Sequence, residues 1–329
     1  MNERRRLAMG AAATAGAAIL LPNSPMLWRS HRRRAGSRVA VLHCASYEAG
    51  RLEEELRRGL APFRSIFHGK RVLLKPNLVE VGPHINTHPA VVGAAIDALL
   101  ALGAALVVVG EGPGHHRDTQ LVALDSGLDE QLRDRRTALL DLNRTPVVAL
   151  PNRGGFSSLG DLYFPRDVVS AEVIVSMPKM KTHHWVGVTL AMKNMFGALP
   201  GSVYGWPKNV LHWQGIPNAI LDICATVPPQ LVIADGIVAM EGNGPLHGTP
   251  RPLGKIVISD DPVAADFTCC RLMGLVPERV PYLARATRFL GYGEESMIEQ
   301  LAERVVPAEP FATVPEFAYL RLNGPNDLR

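Results

Sequence analysis

Lysine, histidine and amide side chains are concentrated directly after one apolar segment of this chain. The segment is 173–176, and the side chains that follow it are Lys179, Lys181, His183, Lys193 and Asn194. Lysines two residues apart behind a buried strand supply point charges for a carboxylate or a phosphate, and His183 adds a group that titrates near neutral pH. Methionines and a tryptophan surround these lysines, so a solvated charged loop is the weaker interpretation. The segment therefore predicts a site for an anion.

Two further polar clusters follow the apolar segments 72–74 and 105–109. The first contains Lys75 and Asn77, and the second contains Glu111 among glycines that do not match the dinucleotide pattern G-x-G-x-x-G. Taken alone, Asn77 is better explained by an Asx-turn, and Lys75 fits a strand-end charge as well as a functional role. With the cluster above, the residues that we expect to bind a ligand or cofactor are Lys75, Asn77, Glu111, Lys179, Lys193 and Asn194.

Carboxylates supply the opposite charge after the later apolar segments. Carboxylates can hold a hard divalent cation or act as general acids and bases. The candidates for a metal site are Asp235, Glu241, Asp260 and Asp266. The residues that we expect to be catalytic are Lys181, His183, Asp235 and Glu241. The neighbouring Asp261-Pro262 pair is better explained as the start of a helix, with Asp261 as its N-cap.

These clusters need a scaffold that brings the ends of several strands together. Short apolar segments alternate with helical periodicity from residue 39 onward, which predicts an α/β fold with a mostly parallel sheet and helices on both faces. Ligands of such sheets bind at the carboxyl ends of the strands, so the clusters should meet in one cleft. The Gly/Pro-rich segments 143–165 and 197–217 should form a cap over it. Residues 294–304 are predicted to be a terminal helix.

The chain is predicted to have one folded domain between two extensions. We expect a signal or anchor over residues 1–28, a basic linker over 29–37, a single α/β domain over 38–293 and a C-terminal extension over 294–329. The formal net charge of +4 comes from the start of the chain, because residues 1–38 contain eight arginines and one acid. The remainder has 27 basic and 30 acidic residues, a net charge of −3, which excludes the basic surface that nucleic-acid binding requires.

The N-terminal residues have the pattern of an export signal. Arg4-Arg5-Arg6-Leu7 precedes an Ala/Gly-rich apolar stretch that is shorter than the ~20 residues of a membrane span. Two arginines, a spacer and a leucine are typical of the twin-arginine route. We therefore expect a periplasmic or otherwise exported protein. An uncleaved leader would anchor it to the membrane, and this is the one membrane contact that we expect.

The four cysteines do not form a cofactor site in sequence. Cys44, Cys224, Cys269 and Cys270 contain no C-x-x-C pair and no iron–sulfur ligand run. The identity of any cofactor therefore stays open, with a divalent metal as one option.

Four segments together are similar to a known family. Residues 72–79, 176–197 (with Pro-Lys-Met-Lys-Thr-His and Met-Lys-Asn-Met-Phe-Gly), 235–248 and 259–266 resemble the domain-of-unknown-function 362 family. The resemblance covers roughly residues 39–293. Some members of that family carry ferredoxin modules with iron–sulfur clusters, which implies redox chemistry for the family. This chain lacks the cysteines of such modules, so electrons would have to come from an external redox partner.

Three functions are compatible with these observations. The preferred one is an exported enzyme that acts on an anionic small molecule or cofactor, as an oxidoreductase with an external electron donor. The second is a periplasmic anion-binding protein without turnover. The third is a metal-dependent phosphoryl or nucleotidyl transferase, which fits lysines and carboxylates equally well.

The leader generates the first prediction. Replacing Arg4 and Arg5 by lysine keeps the charge but removes the guanidinium pair, so the double variant should remain in the cytoplasm while the wild type is exported. The measurement is fractionation of cells that express the full chain with a periplasm-specific reporter. Arg32→Lys with Arg33→Lys, behind the apolar stretch, is the matched control and should be exported normally. Export of the Arg4/Arg5 variant at the wild-type level would refute the twin-arginine interpretation.

Overall fold

The computed structural model describes residues 36–115 and 117–323. The predicted leader lies outside the described residues, as do nearly all of the basic linker, His116 and residues 324–329. Within the described part, no helix is both long and apolar enough to cross a membrane.

The described residues form twelve strands, most of them short. They are β1 (Ser37–His43), β2 (Arg71–Pro76), β3 (Leu106–Glu111), β4 (Leu139–Asp141), β5 (Val147–Pro151), β6 (Asp161–Pro165), β7 (Val173–Met177), β8 (Lys179–His183), β9 (Gly187–Thr189), β10 (Leu231–Asn243), β11 (His247–Ser259) and β12 (Ile298–Ala302).

Twelve α-helices connect or cover these strands. They are α1 (Ala49–Leu60), α2 (Arg64–Phe67), α3 (Pro89–Ala101), α4 (Thr119–Asp125), α5 (Leu128–Asp134), α6 (Arg166–Ser170), α7 (Ala191–Asn194), α8 (Gly201–Tyr204), α9 (Asn209–Trp213), α10 (Ile216–Thr226), α11 (Pro262–Leu272) and α12 (Pro281–Ala286). The predicted cap on α11 is confirmed, because the Asp261 carboxylate accepts hydrogen bonds from the backbone N–H groups of Val263 and Ala264 at 2.7 and 3.2 Å.

Ten of the strands form one mixed, mostly parallel sheet, as predicted. Its order is β12-β1-β11-β10-β7-β2-β3-β4, with β8 beside β10 and β9 beside β8. The pairs β2–β3, β2–β7, β3–β4, β7–β10, β8–β10 and β1–β12 are parallel, whereas β11 runs antiparallel to β1 and β10. Strands β5 and β6 form a separate antiparallel hairpin.

The sheet is buried on both faces, because alternate residues of its strands belong to two hydrophobic layers. In β2, Leu73 joins the layer that contains α10 and α11, whereas Val72 and Leu74 join the layer that contains α1 and α3. This period-2 alternation explains why the central strands read as continuous apolar runs. The β5–β6 hairpin and the Gly/Pro-rich residues 197–217 contribute Phe164 and Tyr204 to the first layer.

The predicted terminal helix over residues 294–304 is wrong. A 3₁₀ turn at Glu295–Met297 leads into strand β12, which pairs in parallel with β1 from Ser37↔Ile298 to Val41↔Ala302. The spacing of Ile298 and Leu301 is compatible with a helix or with a strand. Pairing with the edge of β1 that β11 does not occupy stabilises the strand. The segment after residue 293 therefore contributes the edge of the main sheet.

Candidate functional site

A cavity of about 170 Å³ lies at the carboxyl ends of β2 and β3, against β8, α7 and the segment 197–217. Seven of the predicted site residues line it, namely Lys75, Asn77, Glu111, Lys181, His183, Lys193 and Asn194. It also contains polar residues outside the predicted set, namely His115, His184, Thr189, Lys208, His212 and His247. The sheet topology thus brings the first three polar clusters together, as the strand-end rule anticipates.

Lys75 forms a buried ion pair that frames the cavity. Its ammonium donates to Glu111 Oε2 at 2.5 Å, to the Pro76 carbonyl at 2.9 Å and to Asn194 Oδ1 at 3.1 Å. These three acceptors use all three ammonium hydrogens. Glu111 also accepts from the backbone N–H groups of Leu78 and Gly112. Burial lowers the pKa of Lys75, and the Glu111 carboxylate opposes that shift. The pair therefore positions β2, β3 and α7 rather than offering donors to a ligand.

A glycine makes room for this ion pair. A Cβ atom at Gly197 would collide with Glu111 Oε1 and with the Nζ and Cε atoms of Lys75. The backbone after α7 can therefore approach the pair closely only because residue 197 has no side chain.

Lys181 is the most enclosed amine of the cavity. The residue is 0 % exposed, and its Nζ donates to the Ile85 carbonyl at 2.8 Å. No carboxylate among the described residues forms an ion pair with it. Burial lowers the pKa of Lys181 well below its ordinary value, and the ammonium groups of Lys179 and Lys193 lower it further. The neutral amine is therefore far more populated here than at the surface.

Lys193 and Lys208 have different surroundings. The Lys193 ammonium lies 4.0 Å from the centre of the Phe196 ring, a cation–π contact, in a half-buried position. The Lys208 ammonium donates to the carbonyls of Gly112 at 2.8 Å and Phe196 at 3.0 Å. Burial lowers the pKa of each lysine to about 7, and the Lys75 charge contributes to both shifts.

Lys208 was not found from the sequence. It lies in the Gly/Pro-rich segment 197–217, in a left-handed backbone conformation with φ of 69°. Nothing in that composition indicates that its single lysine is 2 % exposed and lines a cavity.

Backbone contacts fix the tautomers of three cavity histidines. His183 Nδ1 accepts from the Trp185 N–H at 3.0 Å, so its proton must reside on Nε2 when the ring is neutral. The Nδ1 atoms of His184 and His212 lie 2.6 and 3.0 Å from the carbonyls of Gly244 and Lys208, so these rings donate there and keep a lone pair on Nε2. Burial and the Lys193 charge lower the pKa of His183 well below 6.5. His183 is thus a neutral N–H donor at pH 7.

Three buried polar atoms of the lining have no hydrogen-bond partner among the described residues. They are Asn77 Oδ1, His115 Nδ1 and Thr189 Oγ1. Buried polar atoms are normally paired, so each unpaired one requires an explanation. A bound molecule that contributes its own donors and acceptors would satisfy them.

Lys179 and Asp235 do not line the cavity. The Lys179 ammonium donates to Asp235 Oδ2 at 2.5 Å, and both side chains are almost fully buried. Asp235 also accepts from Tyr47 Oη at 3.1 Å and from the His88 backbone N–H at 2.9 Å. Tyr47 in turn stacks on the His88 ring at 3.6 Å. This cluster anchors the loop before α3 to the sheet, and its carboxylate oxygens are already fully engaged.

The other three predicted carboxylates lie apart from the cavity and from one another. Glu241 contacts Arg251 at 3.4 Å and the Ala312 N–H at 3.0 Å. Asp260 pairs with Arg38 at 3.0 Å. Asp266 accepts from the backbone N–H groups of Ala191 and Met192 at the start of α7, and burial raises its pKa to about 8. Arginine pairing and helix capping account for these positions.

The carboxylates named as metal candidates are therefore not assembled into one site. Across the described ranges, no three His, Cys, Asp or Glu side chains are grouped as metal ligands. The four cysteines are buried free thiols, of which Cys44 belongs to one hydrophobic layer and Cys224, Cys269 and Cys270 belong to the other.

Comparison with known sequences finds one family profile and one relative that are similar to this chain. The profile of a family described as "Domain of unknown function (DUF362)" matches residues 72–271. A thylakoid-associated protein of Synechocystis sp. is 32% identical over 268 residues, which cover 76% of this chain and 78% of that protein.

Comparison with solved structures gives more distant similarities. The lactate racemase apoprotein of Thermoanaerobacterium thermosaccharolyticum has a TM-score of 0.42 at 14% identity, over 62% of this chain and 50% of that one. A structural-genomics protein of Thermotoga maritima has a TM-score of 0.34 at 16% identity, over 60% and 53%. The chain thus spans about half the length of each of these structures.

The Lys75–Glu111 pair generates a stability prediction. Glu111→Leu leaves a buried ammonium without its counter-charge, which should lower the free energy of unfolding by about 3–5 kcal/mol. Adding Lys75→Met should recover part of that loss, because the double variant buries no unpaired charge. Urea denaturation measures both values.

An exposed ion pair of equal length is the matched control for this prediction. Arg58 and Glu55 are also 2.5 Å apart, but Arg58 is mostly exposed, so Glu55→Gln should change the free energy by under about 1 kcal/mol. Equal small effects at Glu111 and Glu55 would show that the buried pair does not hold the strand ends together.

Proposed function

Because the chain belongs to the domain of unknown function 362 (DUF362) family, whose description names no reaction, we propose its function from the cavity. The proposal is that the protein is an enzyme that binds a small anionic molecule and transfers protons to or from it. The family predicted from the sequence motifs is confirmed by the match over residues 72–271. The observation that carries the proposal is the surplus of unused lysine donors in one enclosed space.

The surplus follows from the hydrogen bonds of each lysine. Lys75 has no free ammonium hydrogen, because three acceptors surround it. Lys208 has two protein acceptors and Lys181 has one, while Lys193 has its ring contact alone among the described interactions. The charged forms of these three lysines would leave six N–H donors for a ligand. Glu111, the carboxylate of the lining, is already paired with Lys75, so a bound anion would provide the missing negative charge.

The cavity has room for a small polyatomic anion. Its volume of about 170 Å³ is roughly ten times the space that one water molecule needs. A small carboxylate or inorganic phosphate therefore fits in it.

Two groups of the lining support an enzyme over a passive receptor. Lys181 is an amine held in a setting that favours its neutral form, and it can accept a proton. His183 presents a neutral N–H group, which can polarise a carbonyl through a hydrogen bond without the ring carrying a positive charge. Asp235 and Glu241 lie outside the lining, so we assign proton transfer to Lys181 and His183 alone.

The preference for an oxidoreductase has a separate basis. It rests on the leader and on the family resemblance, and it requires that the anion in the cavity be the molecule oxidised or reduced by an external partner. Export through the leader is likewise a proposal, and the relative named for its association with thylakoids is consistent with a protein that works beside a membrane.

Anion binding should depend steeply on pH. Lys193 and Lys208, with pKa values of about 7, are mostly charged at pH 6 and mostly neutral at pH 8, so affinity should fall as the pH rises. Binding near pH 7 should also take up protons, because a bound anion raises both pKa values. Calorimetric titration with pyruvate, which stays a monoanion over this range, in two buffers of different ionisation enthalpy measures both effects, and inorganic phosphate is titrated as a second anion at pH 7.

Charge removal tests the same cavity. Lys193→Ala should weaken binding by roughly 10- to 100-fold, the equivalent of one charge-assisted hydrogen bond. Lys255→Ala is the matched control, because Lys255 pairs with Glu303 away from the cavity and should leave affinity unchanged. Binding of neither anion, or pyruvate binding that is equal at pH 6 and pH 8, would refute the anion site.

Proton transfer is tested separately from binding. Wild-type protein in D₂O should exchange the methyl hydrogens of pyruvate faster than buffer does, and Lys181→Met should abolish the excess rate in NMR spectra. Binding of pyruvate without any exchange would favour the alternative of a non-catalytic anion-binding protein.

A further inference from the structure

We propose that the Lys181 amine forms a covalent imine with the carbonyl carbon of a small oxo acid in the cavity. This inference rests on the proposed function, which supplies the site for the carboxylate of that acid. It goes further, because it replaces simple proton transfer by a covalent intermediate and names the substrate class.

Among the cavity lysines, Lys181 and Lys193 have the fewest contacts that hold an ammonium charge, one each, and Lys181 is the more deeply buried of the two. Lys75 is paired with a carboxylate. Lys208 is held by two carbonyls, and Lys193 lies over the face of an aromatic ring. Lys181 has one neutral carbonyl acceptor, at Ile85. A lysine is nucleophilic as the free amine, so this setting selects Lys181 for attack on a carbonyl.

The enclosure of Lys181 points to the same role. Lys181 is 0 % exposed and belongs to the wall of the cavity, so bulk solvent is kept away from its amine. One N–H is directed to Ile85, which restricts rotation about the Cε–Nζ bond and leaves the lone pair for bonding. Neighbouring ammonium groups lower the pKa further, an arrangement that activates lysines in imine-forming enzymes.

The remaining groups of the lining match the two ends of an oxo acid. The ammonium groups of Lys193 and Lys208 would hold its carboxylate. The His183 Nε2–H would donate to its carbonyl oxygen and increase the electrophilicity of the carbon. Of the unpaired atoms, Asn77 Oδ1 would accept from the hydroxyl group that forms when the amine adds, and the Thr189 hydroxyl would donate to the oxygen of that group.

The reaction is balanced without a redox partner. The Nζ lone pair forms a bond to the carbonyl carbon while the C=O π bond breaks, and a proton moves from nitrogen to oxygen to give the carbinolamine. The C–O bond then breaks as the nitrogen lone pair forms C=N. The leaving hydroxyl takes a proton from the Lys193 ammonium and departs as one water molecule. The iminium product withdraws electrons from the adjacent carbon and thereby acidifies its C–H bonds.

Reductive trapping tests this proposal on the full chain. Wild-type protein incubated with pyruvate and sodium cyanoborohydride should gain the mass of one reduced pyruvyl group, and peptide mapping should place it on Lys181. Lys181→Arg should not form this adduct. Lys255→Arg is the matched control, because Lys255 pairs with Glu303 away from the cavity, and this variant should still be modified at Lys181. Inorganic phosphate, which has no carbonyl, should slow the modification of the wild type by competition.

The outcomes separate this inference from the proposed function. A wild type that binds pyruvate and exchanges its hydrogens, but forms no adduct, would overturn the imine and leave Lys181 as a general base. An adduct on Lys193 or on surface lysines instead of Lys181 would also overturn it. Lys181→Met that still binds phosphate shows that the variant is folded, which makes its loss of trapping attributable to the missing amine. Failure of the wild type to bind either anion would overturn both proposals.

Discussion

The cavity is built around an excess of buried positive charge, and the rest of the site follows from how that excess is accommodated. Lysine ammonium groups cost several kcal/mol each to bury without a partner, and Lys75, Lys181 and Lys208 are each at most 2 % exposed. One carboxylate, Glu111, is available among them. It neutralises Lys75 and ties β2 to β3. The remaining lysines lose protons more readily, as their lowered pKa values show. A bound anion would supply the negative charge that the remaining lysines lack.

The parts of this arrangement that could be predicted from sequence are those that depend on local periodicity. Alternation of apolar segments and helices predicts the sheet, and the strand-end rule predicts that Lys75, Glu111 and Lys181 meet. Conversely, a carboxylate following an apolar run is compatible with a site, a helix cap or an ion pair. Asp266 caps α7 and Asp260 pairs with Arg38, and the choice depends on partners that are 75 and 222 residues away in the chain. No local pattern contains that information.

Some site residues were not found from the sequence because their roles also depend on partners that are distant in the chain. Lys208 and His212 reach the cavity because the segment 197–217 folds back over the sheet, and Gly/Pro-rich composition predicts only that it is irregular. Tyr47 was missed because its role depends on Asp235, far along the chain. Likewise, residues 298–302 pair with β1 although their apolar spacing fits a helix. In each case tertiary contacts decide between local alternatives of similar free energy.

Lys179 and Lys181 have different surroundings, and the register of strand β10 explains part of the difference. The two lysines lie two residues apart in β8 and therefore point to the same face of the strand. Strand β10 has a register irregularity beside β8, so that Asp235 lies opposite Lys179 whereas Met240 lies opposite Lys181. The first lysine thus receives a carboxylate and becomes a fixed ammonium. The second lysine lies opposite Met240, and no carboxylate among the described residues pairs with its amine.

A regular register would place another uncharged residue, Ile237, opposite Lys181. The irregularity therefore does not itself remove the charge from Lys181. The irregularity lies between Asp235 and Met240, and within it the Val238 carbonyl accepts another hydrogen of Lys179 at 3.1 Å. Lys179 thus has one acceptor at the start of the irregularity and another within it, whereas Lys181 lies in the wall of the cavity.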